Sequence, residues 1–137
     1  MGIRLNLEYL SNDDVRRIAC RFLERHASRP YPPVAIEEIA ELEMGLLIVP
    51  FPGLREKHDI DGFTSSDMSQ IFIDESVFNH PNDNRYRFTL AHELGHIEMH
   101  GDVFRRFRFE SLEEYRLFIH EVDEDDYGWL ERQAYWF

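Results

Sequence analysis

The stretch from Asn84 to His100 limits the fold more than any other part of the chain. Phe88, Leu90, Ala91, Leu94, Ile97 and Met99 cover much of a helix circumference, so the segment reads as a helix packed inside the protein. It also contains His92-Glu93-Leu94-Gly95-His96, an H-E-x-x-H pattern. Residues four apart share a helix face, so His92 and His96 can aim two imidazoles at one point. Burying two imidazoles and a carboxylate without partners is costly. They are either hydrogen-bonded core side chains or a metal site, with His92 and His96 as ligands and Glu93 as general base; the metal site satisfies all three at once. Asn84 is the expected N-cap after the turn Pro81-Asn82-Asp83, and Gly101 the expected residue just past the helix end.

The chain has 137 residues and is 43% hydrophobic, enough to expect one folded domain over 1–137. Its net charge of −12 repels a phosphate backbone, so direct nucleic-acid binding is not expected. Arg105, Arg106 and Arg108 alternate with phenylalanines in Val103 to Phe109, a composition that can stack on bases. A half-buried strand or loop with its arginines in solvent is the simpler account. One cysteine, Cys20, rules out an intramolecular disulfide and reads as an idle thiol on a helix. With no leader-like N-terminus and no apolar run of membrane length, the expectation is a soluble, cytoplasmic protein without a membrane partner.

The elements read as α+β, with several helices on a small β-sheet. Ile3, Leu5 and Leu7 alternate as in a short extended segment. A helix capped by Ser11 follows, with Val15, Ile18, Ala19, Phe22 and Leu23 inward, ended by Pro30, Pro32 and Pro33. A second helix covers about 35–44 and stops at Gly45, and Leu46 to Val49 reads as a buried strand closed by Pro50 and Pro52. Residues 53–60 read as a loop. Residues 62–66 and 70–74 read as a hairpin about Asp67-Met68-Ser69, whose Ile71-Phe72-Ile73 strand would wall the histidine helix and offer an edge to an extended substrate. Ser111 to Glu114 is a capping box, so a helix starts there. Asp123 to Asp126 reads as a solvated acidic turn without calcium-loop spacing, and Glu124 or one of these aspartates is a candidate to orient a ligating imidazole.

A catalytic zinc site usually takes three protein ligands and leaves a position open. His100 lies about 80° round and about 12 Å along a straight helix from His92, so one straight helix cannot bring all three histidines to one ion. Asp102 has no better support. Glu131, on a separate helix of the acidic tail, would complete a His, His, Glu set, and on the residues alone it ranks modestly above the other acids there.

Arg87-Phe88-Thr89-Leu90-Ala91-His92-Glu93-Leu94-Gly95-His96, followed by His100, closely resembles the signature of the ImmA/IrrE-like metallopeptidases. Pro33 to Ala40 with Gly45, then Asp61-Gly62-Phe63 and Gln70 to Asp74, are similar to that family's N-terminal helix and central hairpin, with Asp74 where the family often has Asn. Glu131 to Phe137 is similar to its E-x-[EQ]-A-x-x-F-A segment. The likeness covers the chain from about residue 12 onward. It departs at Tyr135, where the family commonly has Asn or Asp, and at Phe137, where the family's helix continues; a C-terminus cut short there is expected to loosen the Glu131 helix.

The resemblance implies a zincin-like minimal metallopeptidase fold with the H-E-x-x-H pattern on a central buried helix. It selects Glu131 as third ligand beside His92 and His96, with Glu93 catalytic. It implies Zn2+, although Mn2+ or Fe2+ also suits a two-His, one-carboxylate set. It implies a site-specific endopeptidase whose partner is a helix-turn-helix repressor, acting in stress responses or mobile-element induction. His100 and Tyr127 are candidate donors to the oxyanion. The alternative expectation is a module that binds and sequesters the repressor without cutting it.

Overall fold

The structure is a computed structural model and describes residues 2–5, 7–26, 34–65, 67–80, 83–107 and 111–137. The proline stop of the first helix, the Pro81-Asn82 part of the turn, and Arg108 with Phe109 lie outside these residues.

The fold is α+β. Helix α1 (Asn12–His26) begins where its sequence predicts: the Ser11 hydroxyl accepts the Asp14 N–H at 3.1 Å, and the Asp14 carboxylate accepts the Ser11 N–H at 3.0 Å. Val15 and Phe22 face inward, and Cys20 is exposed. Helix α2 (Ile36–Glu38) runs into a π-helical turn, Ile39–Glu43, and Gly45 follows at φ 67°, the left-handed conformation that glycine supplies freely.

Three strands form one sheet in the order β1-β3-β2. Strand β1 (Leu47–Phe51) is parallel to β3 (Gln70–Asp74), with Leu47 opposite Gln70. Strand β2 (Gly62–Thr64) is antiparallel to β3, with Thr64 opposite Ile71. Strand β1 is a half-exposed edge among the described residues, not a buried strand, and it continues through Pro50, because an edge strand tolerates a residue lacking an N–H. Strand β3 is central and paired on both sides, so it has no edge to offer a substrate.

Residues expected as a loop contain helix α3 (Leu54–His58), anchored by the fully buried Leu54 and ended by Asp59 at φ 55°. One apolar contact orders a segment whose local pattern is polar. Helix α4 (Glu75–Phe78) starts at Asp74, whose carboxylate accepts the Ser76 N–H at 3.0 Å and the Arg55 N–H at 2.8 Å.

Helix α5 (Asn84–Phe107) starts at Asn84 itself, so Asn84 is not its cap, and it runs through Gly101. Val103 to Phe107 is therefore helical, against the expected strand or loop. Buried Val103 and Phe104 hold these extra turns, outweighing the cost of about 1 kcal/mol that glycine carries in a helix. The helix is interrupted at His100, whose backbone leaves helical values at φ −121° and ψ 16°.

Helix α6 (Leu112–Glu121) is capped by the Ser111 hydroxyl, which accepts the Glu114 N–H at 3.2 Å. Helix α7 (Glu124–Trp136) is capped by Asp123. The acidic run is thus a helix start, and Asp126 is buried in place of the expected solvation. Its carboxylate accepts the Leu5 N–H at 2.9 Å and the Arg4 guanidinium at 2.9 Å, bonds that hold it below the usual carboxylate range and tie the N-terminal segment to α7. Ile3 forms a parallel bridge with Val122 beside it. Replacing Asp126 by Ala removes the acceptor that the Leu5 N–H and the Arg4 guanidinium share and is expected to cost about 1–3 kcal/mol, read as a lower denaturation midpoint. The depressed pKa gives the sign of the pH effect: the contribution is present above the ordinary value of 3.8 and is lost as pH falls through the lower folded value.

Two apolar clusters form the core, and α5 enters both. Leu90 and Leu94 pack with Phe22, Ile71 and Ile73, whereas Val103 and Phe104 pack with Leu5, Phe63, Tyr115 and Leu130. The histidine segment lies between. No helix among the described residues is long and apolar enough to cross a membrane.

Candidate metal centre

Helix periodicity puts His92 and His96 on one face of α5, and α7 crosses that face with Glu131. His92 Nε2 is 2.9 Å from Glu131 Oε2, and His96 Nε2 is 3.1 Å from Glu131 Oε1, so each carboxylate oxygen meets one imidazole. Candidate ligand atoms of the three residues all lie within 4.8 Å of one another. Nitrogen and oxygen ligands about 2.0–2.1 Å from a tetrahedral zinc lie about 3.3 Å apart, close to the two imidazole–carboxylate distances, so the donor set suits a divalent metal.

Glycine at position 95 is what lets α7 approach. A Cβ there would lie 2.9 Å from the Phe137 Cβ, and Phe137 in turn packs edge-on against Phe22. Gly95→Leu is expected to cost about 1–3 kcal/mol through overpacking, while Gly95→Ala recovers part of that through helix propensity. Thermal unfolding of both metal-free variants would check the order.

Glu93 lines the same cleft as His92 and Glu131. It is buried, and its carboxylate accepts the Thr64 hydroxyl at 3.0 Å. Thr64 stands on β2, which comes close to α5 because Gly62 has no side chain: a Cβ there would lie 3.1 Å from the Thr89 methyl. Burial raises the Glu93 carboxyl above its ordinary value, against the opposing pull of His96 and His92. Burial also opposes charge on Glu131, but its hydrogen bonds with His92 and His96 win and hold it well below the usual carboxylate range. Burial lowers the His92 pKa, yet Glu131 and Glu93 more than reverse this and raise it. One acid is therefore pushed toward holding a proton and the other toward staying charged, on the lining of one cleft.

A cleft of about 290 Å³ opens onto His92, Glu93 and Glu131. Its walls include Tyr115, Tyr127 and the Asp61–Arg85 pair, joined at 2.9 Å. Exposed Phe88 and Tyr135 stack at its mouth with ring centres 5.7 Å apart, and the Tyr135 ring lies 4.2 Å from His92. Burial and the carboxylates of Glu131 and Glu93 raise the Tyr127 pKa, so its hydroxyl stays protonated.

Several candidates fall elsewhere. His100 does not face the cleft: Nδ1 is 3.0 Å from His96 Nδ1 and Nε2 is 2.8 Å from Gln133 Oε1. Burial and the nearby His96 lower its pKa to about 4. This side chain, not Glu124 or an aspartate of the acidic run, is the partner of the His96 imidazole. Asp123 is committed to capping α7 and Asp126 to Leu5 and Arg4, while Asp102 is exposed and pairs with Arg105. Thr64, Tyr115 and Gln133 were not singled out by their sequence. A Thr in a short strand, a Tyr in an amphipathic helix and a Gln beside Ala134 carry no local mark; only the E-x-[EQ]-A likeness touched position 133.

A family model described as the IrrE N-terminal-like domain, Peptidase_M78, matches residues 42–137. No curated protein and no solved structure matches the chain.

Proposed function

Because the chain belongs to the family of IrrE N-terminal-like domains, a peptidase family, we propose that it is a zinc-dependent, site-specific endopeptidase that cleaves a helix-turn-helix transcriptional repressor and thereby relieves repression in a stress response or in mobile-element induction. The observation that carries the peptidase reading is the meeting of His92, His96 and Glu131 in an open cleft with Glu93 beside them. The repressor as substrate rests on the motif resemblance, and a cytoplasmic site of action goes with such a substrate.

His92 Nε2, His96 Nε2 and the Glu131 carboxylate would hold the metal. When bound, zinc supplies Lewis acidity, which polarises a peptide carbonyl and acidifies a water. Glu93 does the proton work. The Thr64 hydroxyl holds Oε2, leaving Oε1 to take a proton from the attacking water and pass it to the departing amine. The raised pKa of Glu93 makes it a stronger base toward the attacking water, and the leaving amine, far more basic than any carboxylate, still takes the proton from it. Tyr127, protonated at the cleft wall, is the proposed donor to the developing oxyanion. The Phe88–Tyr135 stack offers an apolar seat to substrate side chains flanking the scissile bond.

Metal analysis of the purified protein and intact-mass measurement of a repressor encoded beside it, after incubation with the zinc-loaded protein, test the reading. Stoichiometric metal and one discrete cut support it. Stable binding of the repressor without a cut would replace it with sequestration.

A further inference from the structure

His96 differs from His92 in having a buried hydrogen-bonded chain behind it. The His92 Nδ1 has no hydrogen-bond partner among the described residues. Behind His96, Nδ1 meets His100 Nδ1 at 3.0 Å, His100 Nε2 meets Gln133 Oε1 at 2.8 Å, and Gln133 Nε2 donates to the Glu8 carbonyl at 3.3 Å. His96, His100 and Gln133 are each at most 2% exposed, so water does not substitute for a mismatched partner.

The geometry points to a positioning relay, Glu8–Gln133–His100, that fixes the tautomer and ring orientation of His96 so that its Nε2 is the nitrogen offered to the metal. The inference rests on the metal-site reading above. The direction of the chain follows from its far end. A backbone carbonyl only accepts, so the Gln133 amide must turn its NH2 to Glu8 and its oxygen to His100. That oxygen also only accepts, so His100 carries its proton on Nε2 and leaves a lone pair on Nδ1. His96 must then donate from Nδ1. Its Nε2 faces Glu131 Oε1 at 3.1 Å, on the side of the ring that would be offered to a metal. The reverse chain would set the His100 Nε2 lone pair against the Gln133 oxygen, or the Gln133 oxygen against the Glu8 oxygen. The interruption of α5 at His100 accompanies this arrangement. Because Gln133 and Glu131 share α7, the same chain that orients one ligand also holds the helix that carries another.

Metal-ligating histidines normally give their second N–H to an acceptor, and losing that acceptor costs about 10–100-fold in metal affinity. Zinc affinity of the full chain, measured by competition with a chromophoric chelator, is therefore expected to fall about 10–100-fold in His100→Leu. His100→Asn, whose Oδ1 can accept the His96 Nδ1–H, is expected to recover most of that loss. Equal losses in the two variants would overturn the relay, as would no loss in either. A second readout needs no metal. Nitrogen-15 NMR of histidine-labelled, metal-free protein at mildly alkaline pH is expected to show His100 protonated at Nε2 with a lone pair at Nδ1, and His96 protonated at Nδ1. In Gln133→Leu the His100 signal should become that of a tautomer mixture. A His100 proton on Nδ1 in the wild-type chain, or an unchanged His100 signal in Gln133→Leu, would overturn it even if His100→Leu does not fold. Failure of the wild-type chain to bind zinc would instead strike the metal-site reading, and the NMR result would still decide the hydrogen-bond order.

Discussion

Glu93→Gln is expected to abolish measurable cleavage of a confirmed substrate, by about 10²–10⁴-fold in kcat, while leaving zinc content unchanged. Glutamine keeps the length of the side chain and can still accept the Thr64 hydroxyl, so the wall between β2 and α5 is preserved. It cannot take a proton, and proton transfer is the role proposed for this residue. Metal content stays because the three converging side chains are His92, His96 and Glu131. Single-turnover cleavage together with metal analysis reads both halves. Cleavage that persists in the variant would remove Glu93 from the mechanism.

Glu131→Ala is expected to have the opposite signature, losing metal first and activity as a consequence. The carboxylate contacts both imidazoles, at 2.9 and 3.1 Å, and its removal leaves two imidazoles on a single helix. Loss of one of three protein ligands is expected to weaken zinc binding on the order of 100-fold or more. The metal-free protein should respond as well. Glu131 is depressed below its ordinary 4.5, so its contribution is present above that value and lost as pH falls through the lower folded one. His92 is raised above its ordinary 6.5, so its contribution is present below that value and lost as pH rises through the higher folded one. Wild type and Glu131→Ala should therefore differ most in metal-free stability between about 4.5 and 6.5, with the difference shrinking gradually as pH falls toward the lowered Glu131 value or rises through the raised His92 value. Urea midpoints across the range check this; a constant difference would show that the carboxylate matters for packing and not for its charge.

Local rules made much of this chain legible. The helix from Asn84, the serine caps at Ser11 and Ser111, the glycine stop at Gly45 and the hairpin between β2 and β3 all follow from short-range chemistry, and the sequence carries that chemistry in full. The misreadings share a cause. Helix α3 exists because Leu54 is buried, α5 passes Gly101 because Val103 and Phe104 are buried beneath it, and Asp126 is drawn inside by the distant Leu5 N–H. In each case a tertiary contact outweighed a local preference of about 1 kcal/mol.

The site divides along the same line. His92, Glu93 and His96 lie within five residues, so a helix alone brings them onto neighbouring faces, and the sequence by itself determined that grouping. Glu131 is 39 positions from His92, Thr64 is 29 from Glu93, and Gln133 is 33 from His100. No periodicity spans such separations. Only the packing of Phe137, at the end of α7, against Gly95 and of β2 against α5 decided which acid meets the two imidazoles, which hydroxyl holds Glu93, and what stands behind His96, because those distances are set by burial of side chains between elements and not by the repeat of any one of them.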